Sequence, residues 1–129
     1  MGSVTVVLIV EGEPTLRNSH SAALRQCGYH VITACDFADA LAMNLLHRPD
    51  VIVMDPGLEG RGLDVALEMT RVNKDARVVF HTRNPYQIGR DFSAWVADAM
   101  AEKSEDPSEL LVTLRHLAAG AAERSEKSG

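Results

Sequence analysis

The fold is decided by one stretch, Val4-Thr5-Val6-Val7-Leu8-Ile9-Val10, which the polar group Glu11-Gly12-Glu13-Pro14 follows directly. An apolar, β-branched run bounded by polar residues is typical of a strand covered on both faces. From Glu13 to Cys27 apolar side chains recur at helical spacing, Pro14 suits a first helical turn, and Gly28 is placed to end the helix. This stretch is therefore predicted to form a buried strand followed by a helix.

The same alternation continues along the chain. Further strands are predicted over residues 30–34, 51–54, 77–81 and 95–101, and further helices over residues 36–47, 63–72, 84–92 and from Asp106-Pro107-Ser108-Glu109 onward. Five strands alternating with five helices predict parallel strands with right-handed crossovers in a three-layer α/β domain. We expect a single domain over residues 1–129, with its core at about 4–119 and a frayed tail at 121–129.

Composition narrows the class of protein. The 129 residues are 46% hydrophobic and 24% charged, which is typical of a globular domain, and the formal net charge of -5 disfavours a nucleic-acid partner. The longest apolar run is far short of the ~20 residues that span a bilayer, so we expect no membrane partner and a cytoplasmic location. Cys27 and Cys35 lack the spacing of a redox or metal motif and are interpreted as reduced packing residues.

Polar side chains follow several of the predicted strands. Ligands of an open parallel sheet bind beyond the carboxyl ends of its strands, and this rule selects Glu11, Glu13, Asp55, Thr82 and Lys103. The set suits phosphoryl transfer to a carboxylate. Asp55 would be the nucleophile, the acids would hold a divalent metal, and Thr82 and Lys103 would contact the phosphoryl oxygens.

Other interpretations of these residues are open at this point. Asp55 could cap a loop, Lys103 could be a solvated surface lysine, and Glu11 and Glu13 could be acids that favour a helix N-terminus. The histidines lack metal spacing and are interpreted as surface or packing residues; they are His20, His30, His47, His81 and His116. No phosphate-binding loop, dinucleotide fingerprint or nucleophile elbow is present, which disfavours a nucleotide cofactor and a hydrolase.

Four stretches, over residues 7–14, 50–55, 78–82 and 101–104, together resemble the receiver domain of two-component response regulators of the CheY type. The resemblance covers about residues 4–119 and implies a flavodoxin-like fold with strand order 2-1-3-4-5. It also implies that Asp55 accepts a phosphoryl group from a histidine kinase or a phosphotransfer protein. Thr82 would be the switch hydroxyl, Lys103 would pair with the phosphate, and the backbone carbonyl of Gly57 would bind Mg²⁺.

The sequence departs from the family pattern near this site. The family usually has two adjacent acids after its first strand, whereas Gly12 follows Glu11 here, so we expect weak Mg²⁺ binding by Glu11, Asp55 and the Gly57 carbonyl, with Glu13 as a further candidate ligand. Receivers often have an aromatic switch residue where Met100 stands, a small residue where Arg83 stands and a proline where Ser104 stands. The loop over residues 56–62 is one residue shorter than the common form.

The expected function is that of a stand-alone receiver, which signals by a conformational change of its own surface. Its only chemistry would be to gain and slowly lose one phosphoryl group, so it is not expected to be an enzyme. An unidentified downstream protein would bind it, and family analogy gives a candidate homodimer face formed by the fourth helix, fifth strand and fifth helix, roughly residues 84–117. The alternative is a degenerate receiver, a protein-binding module that works without phosphorylation because Gly12 has weakened its metal site.

Overall fold

A computed structural model of the chain describes residues 4–83 and 97–117. The predicted helix at residues 84–92, the first residues of the predicted fifth strand and the tail beyond residue 117 lie outside the described residues. The described elements are the strands β1 (Val6–Val10), β2 (His30–Ala34), β3 (Val51–Met54), β4 (Arg77–Thr82) and β5 (Ala99–Glu102), and the helices α1 (Pro14–Gln26), α2 (Phe37–His47), α3 (Gly62–Val72) and α4 (residues 108–117).

The strands form one parallel sheet of order β2-β1-β3-β4-β5, which confirms the predicted topology. β2 and β3 have the predicted bounds. The predicted end of the fifth strand at Ala101 is wrong, because β5 extends to Glu102 in register with Thr82 at the end of β4. The stretch Ala-Met-Ala-Glu has low strand propensity, so its bounds are set by pairing with β4 rather than by its own residues.

Successive strand residues face opposite layers, which produces two apolar cores. Leu8 and Val10 of β1 pack with α2 and α3, whereas Val7 and Ile9 pack with α1 and α4. The predicted apolar stripe of the last helix is confirmed, since Leu110 and Leu114 are buried and Leu111 and Leu117 pack against the same cluster. The predicted three-layer arrangement is therefore confirmed. None of the helices in the described ranges has the length and apolar character needed to cross a bilayer.

Two helix ends are formed by the residues that the sequence predicts, whereas the two cysteines are not buried as predicted. The Asp36 carboxylate caps α2 by accepting a 2.8 Å hydrogen bond from the Asp39 N–H, and Gly28 adopts a φ of 95° after α1. The interpretation of Cys27 and Cys35 as packing residues is wrong. Both thiols are free and exposed, because Cys27 lies just past the last turn of α1 and Cys35 lies in the turn after β2.

The loop after β3 is shaped by a close backbone approach at Gly62. A 3-10 turn at Leu58–Gly60 leads into α3, and Gly62 at the start of this helix lies directly against the backbone of Pro56. A Cβ atom at position 62 would overlap that backbone, so only glycine allows the chain to close here. Since Pro56 follows Asp55, this contact helps to fix the backbone on which Asp55 stands.

We expect Gly62→Ala to lower the free energy of unfolding by about 1–3 kcal/mol, because the added methyl group must displace the Pro56 backbone. Urea unfolding followed by circular dichroism measures this. Gly12→Ala is a matched control, since a Cβ atom there would lie 3.4 Å from Leu58 Cδ1, an ordinary contact distance. Equal stability of the two variants would contradict the close approach at Gly62.

Candidate functional site

A single ammonium group lies between two carboxylates at the carboxyl edge of the sheet. Lys103 Nζ is 2.8 Å from Glu11 Oε1 and 3.0 Å from Asp55 Oδ2. The Lys103 and Glu11 side chains are each 8% exposed and that of Asp55 is 24% exposed. The interpretation of Lys103 as a solvated surface residue is therefore excluded, and the ammonium links the ends of β1, β3 and β5.

Glu11 is fixed by the backbone around it. Its N–H donates a 3.0 Å hydrogen bond to the carbonyl of Ala34, which continues the β1–β2 ladder by one residue. Its Oε2 accepts from the N–H of Glu13 at 3.0 Å, and its own carbonyl accepts from Arg17 Nη1 at 2.9 Å. Three hydrogen bonds thus leave Oε1 directed at Lys103.

Asp55 is held in a similar way by the loop that follows β3. Its Oδ1 accepts a 2.8 Å hydrogen bond from the N–H of Gly57, and its carbonyl accepts from the N–H of Leu58 at 3.1 Å. A Cβ atom at position 57 would lie 3.3 Å from Asp55 Oδ1, which is tighter than usual, so the small residue suits this position. The carbonyl of Gly57 accepts a long 3.3 Å hydrogen bond from the N–H of Gly60.

Lys103 is positioned through its backbone as well as its side chain. Its N–H donates a 2.7 Å hydrogen bond to the carbonyl of Thr82, a buried residue at the end of β4. Burial alone would lower the pKa of Lys103, but the hydrogen bonds to Glu11 and Asp55 and the attraction of their charges outweigh burial and raise the pKa above its ordinary value. The ammonium is therefore charged at neutral pH.

The structure brings most of the sequence-predicted site residues together. Glu11, Asp55 and Lys103 are in direct contact, Thr82 bonds to Lys103 through the backbone, and Gly57 bonds to Asp55. The two further candidates, Glu13 and Met100, are more exposed than the three charged residues in contact. Glu13 Oε2 lies 3.4 Å from the guanidinium of Arg83 in an exposed ion pair, and Met100 lies on β5 in register with Phe80, with its side chain exposed.

Two buried histidines beside this site are not singled out by the sequence. The rings of His20 and His81 have centroids 5.2 Å apart and are 1% and 4% exposed. The general expectation of packing residues is correct for both, but their pairing and their place beside the site are not anticipated. One signal was available: His20 falls at helical spacing between Leu16 and Leu24, within the buried stripe of α1.

The environment of His81 strongly disfavours its charged form. Burial, first of all, and then the charges of His20 and Lys103 lower its pKa from 6.5 to about 4, although Glu11 and Asp55 oppose the shift. His81 is consequently neutral near pH 7. A neutral imidazole adds no positive charge beside the Lys103 ammonium.

The residues around Asp55 supply the kind of oxygen donors that Mg²⁺ prefers. The carboxylates of Glu11 and Asp55 both contact Lys103, and Gly57 follows Asp55 by two residues. These two carboxylates and the Gly57 carbonyl are hard oxygen donors of the type that Mg²⁺ binds. Across the described residues, no group of three or more His, Cys, Asp or Glu side chains is suited to a metal. Two carboxylates and one carbonyl are fewer than the six ligands of an octahedral shell. The residues thus fit a magnesium site with few protein ligands, in which water completes the shell.

The chain belongs to the response regulator receiver domain family, whose model matches residues 7–115. Receiver domains of this family are signalling modules of two-component systems. Two curated proteins of Mycobacterium tuberculosis are similar to it. The probable transcriptional regulatory protein TcrX is 38% identical over 82 residues, and the transcriptional regulatory protein PdtaR is 37% identical over 93 residues. The matches cover 63% and 68% of this chain but only 35% of TcrX and 45% of PdtaR, so the chain spans less than half the length of these relatives.

Solved structures place the chain among CheY-like receivers with the predicted flavodoxin-like fold. Thermotoga maritima TrrA in complex with Mg²⁺-BeF is 30% identical, with a TM-score of 0.79 over 88% of this chain and 99% of that chain. TrrA in complex with the histidine kinase ThkA gives 30% identity and a TM-score of 0.77 over 88% and 98%. Vibrio cholerae CheY4 is 26% identical, with a TM-score of 0.80 over 88% and 98%.

The lowered pKa of His81 predicts a loss of stability in acid. Between pH 6.5 and about 4 the unfolded chain takes up a proton at this residue that the folded chain does not. The free energy of unfolding should therefore fall as the pH drops through this window, with His81 contributing on the order of 3 kcal/mol. Urea unfolding at several pH values should show a smaller fall for His81→Leu than for the wild type. The exposed His30 supplies a control, His30→Gln, and a pH dependence unchanged by His81→Leu would contradict the assignment.

Proposed function

We propose that this receiver accepts a phosphoryl group on Asp55 from a histidine kinase or a phosphotransfer protein. The observation that supports this most strongly is the Asp55 carboxylate held beside the buried ammonium of Lys103. An oxygen of Asp55 attacks phosphorus, a new oxygen–phosphorus bond forms, and the bond from phosphorus to the donor's leaving group breaks with its electron pair going to the donor. No second substrate is turned over, so the proposed chemistry is limited to gain and slow loss of one phosphoryl group.

The residues around Asp55 have separate roles in this proposal. The N–H of Gly57 keeps one carboxylate oxygen in place, and Lys103 moves from its carboxylate partners to pair with the phosphoryl oxygens. The hydroxyl of Thr82, next to Lys103 at the end of β4, is the proposed switch group, and Met100 is the proposed second switch residue. Arg83 follows Thr82, and its exposed guanidinium pairs with Glu13.

Glu11, Asp55 and the carbonyl of Gly57 are the proposed ligands of Mg²⁺, with Glu13 as a further candidate. When bound, the metal offsets the negative charge that the phosphoryl oxygens bring to the two carboxylates. Without the metal, the two carboxylates are paired with the Lys103 ammonium. Further negative charge needs further compensation, since two like charges ~4 Å apart repel by about 4 kcal/mol at an effective dielectric near 20. We expect the binding to be weak, because Gly12 supplies no carboxylate.

The proposed partners follow from the family. TrrA, which is 30% identical over most of this chain, is seen in complex with the histidine kinase ThkA, and this supports a kinase as the phosphodonor here. We further propose that the phosphorylated domain signals through its own surface to a downstream protein. The candidate homodimer face over residues 84–117 includes β5 and α4, while its first part lies outside the described residues.

Incubation with acetyl phosphate and Mg²⁺, followed by intact mass measurement, tests the phosphoacceptor directly. We expect the wild type to gain one phosphoryl mass and Asp55→Asn to gain none, because the amide cannot attack phosphorus. Asp64→Asn, which changes an exposed acid at the start of α3, should behave like the wild type. A phosphoryl mass that persists in Asp55→Asn, or its absence from the wild type, would refute the proposal.

Gly12 also supports a second candidate function, that of a degenerate receiver which binds proteins without being phosphorylated. The second carboxylate of the acid pair usual in the family is absent, and the Lys103 ammonium is paired with both Glu11 and Asp55. Position 12 accepts a Cβ atom, which would lie at ordinary contact distances of 3.4 Å from Leu58 Cδ1 and 3.6 Å from the Cys35 carbonyl. The acid pair can therefore be restored without a clash at Cβ.

Gly12→Asp should raise Mg²⁺ affinity by about tenfold or more, since each carboxylate adds charge and a hard oxygen ligand to the site. Titration with Mg²⁺, followed by NMR, measures the affinity. Gly12→Asn is the matched control, because it adds similar volume without charge. Millimolar Mg²⁺ binding and ready phosphorylation of the wild type would exclude the degenerate function. Mg²⁺ binding and phosphorylation that are seen in the Gly12→Asp variant but not in the wild type would support it.

A further inference from the structure

His20 is a buried polar side chain that the proposed chemistry leaves without a role. Its Nε2 lies 2.9 Å from the backbone carbonyl oxygen of Ser104, the residue after Lys103. A carbonyl oxygen only accepts, so the ring nitrogen carries the hydrogen and donates it. This hydrogen bond joins α1 to the loop after β5, across 84 positions of sequence.

The loop that carries Lys103 depends on hydrogen bonds for its position. The Lys103 N–H bonds to the Thr82 carbonyl at 2.7 Å, and Ser104 Oγ donates to the Asp106 carbonyl at 2.8 Å. Ser104 stands where the resemblance to receivers leads one to expect a proline, and serine lacks the ring that would restrict the backbone. The hydrogen bond from His20 ties this loop to helix α1 through a side chain.

The His20 ring is itself held in place. His81 packs against it with an angle of 54° between the ring planes, and both rings are buried. The spacing of Leu16, His20 and Leu24 keeps the imidazole in the buried stripe of α1, facing the sheet. A ring fixed in this manner makes a rigid donor for the Ser104 carbonyl.

We propose that His20 is a positioning residue, whose hydrogen bond to Ser104 holds the loop so that the Lys103 ammonium stays between Glu11 and Asp55. This inference rests on the proposed function, in which Lys103 pairs with the phosphoryl oxygens. Loss of the bond should let Lys103 shift while leaving all of the charges of the site present. Misplacement of a charged group in this way lowers the rate of a reaction without removing a reacting group.

The experiment compares His20→Leu, which removes the donor, with His20→Gln, which keeps one. In His20→Leu we expect about tenfold faster hydrogen exchange of the Lys103 amide and about tenfold slower phosphorylation by acetyl phosphate, both of them partly restored in His20→Gln. Amides of β1 and β3 should exchange as in the wild type. Ser21→Ala is the control, since Ser21 is the adjacent buried polar residue and its hydroxyl bonds within α1.

A double variant tests whether His20 acts through Lys103. In a Lys103→Ala background, His20→Leu should change the phosphorylation rate by less than about twofold, because the group it positions is absent. Two results would overturn the proposal. One is a loss of about tenfold in phosphorylation rate on adding His20→Leu to Lys103→Ala, and the other is an unchanged exchange rate of the Lys103 amide in His20→Leu. If His20→Leu does not fold, His20→Met replaces it, and equal exchange in the Met and Gln variants would likewise overturn it. A wild type that accepts no phosphoryl group refutes the proposed function, while the exchange data still decide the role of His20.

Discussion

The ammonium of Lys103 is the group on which the site depends. It contacts the carboxylates of Glu11 and Asp55, which come from different strands and would repel each other without a cation between them. Removing one member of such a buried ion pair is costly, because the remaining charge is left without a partner. The three charged groups therefore depend on one another. Each carboxylate also accepts a hydrogen bond from a backbone N–H of its own loop.

The parallel sheet explains why residues so distant in sequence meet. Strand order β2-β1-β3-β4-β5 places the ends of β1, β3 and β4 side by side, with β5 next to β4. Two backbone hydrogen bonds, from Glu11 to Ala34 and from Lys103 to Thr82, continue the ladders just past the strand ends. The site is thus an extension of the sheet, and the strand ends determine which of its residues meet.

Much of the fold could be predicted from the sequence, because β1 and β3 are largely buried and have clear apolar patterns. β5 could not be bounded in this way, since Ala99–Glu102 has little strand propensity and is defined by its pairing with β4. The sequence pattern is misleading at Cys27, because its spacing continues the apolar stripe of α1 although the helix ends one residue earlier. In each case the deciding interaction lies outside the local stretch of sequence.

The site shows the same division. Asp55 and Lys103 were found by a rule about strand ends, which needs only the order of the elements. The contact between His20 and His81 depends on how α1 lies on the sheet, and neither residue belongs to a motif. Ser104 is visible in the sequence, but the hydrogen bonds that position its loop become apparent only in three dimensions.

The most direct measurement is an NMR titration of the Lys103 side chain, using its 13Cε and 15Nζ signals. An ammonium held between two carboxylates should titrate above its ordinary pKa of 10.5, and Glu11→Gln should reduce that shift. Burial without paired charges would have the opposite effect. A Lys103 pKa at or below 10.5 in the wild type would therefore contradict the placement of this ammonium between Glu11 and Asp55.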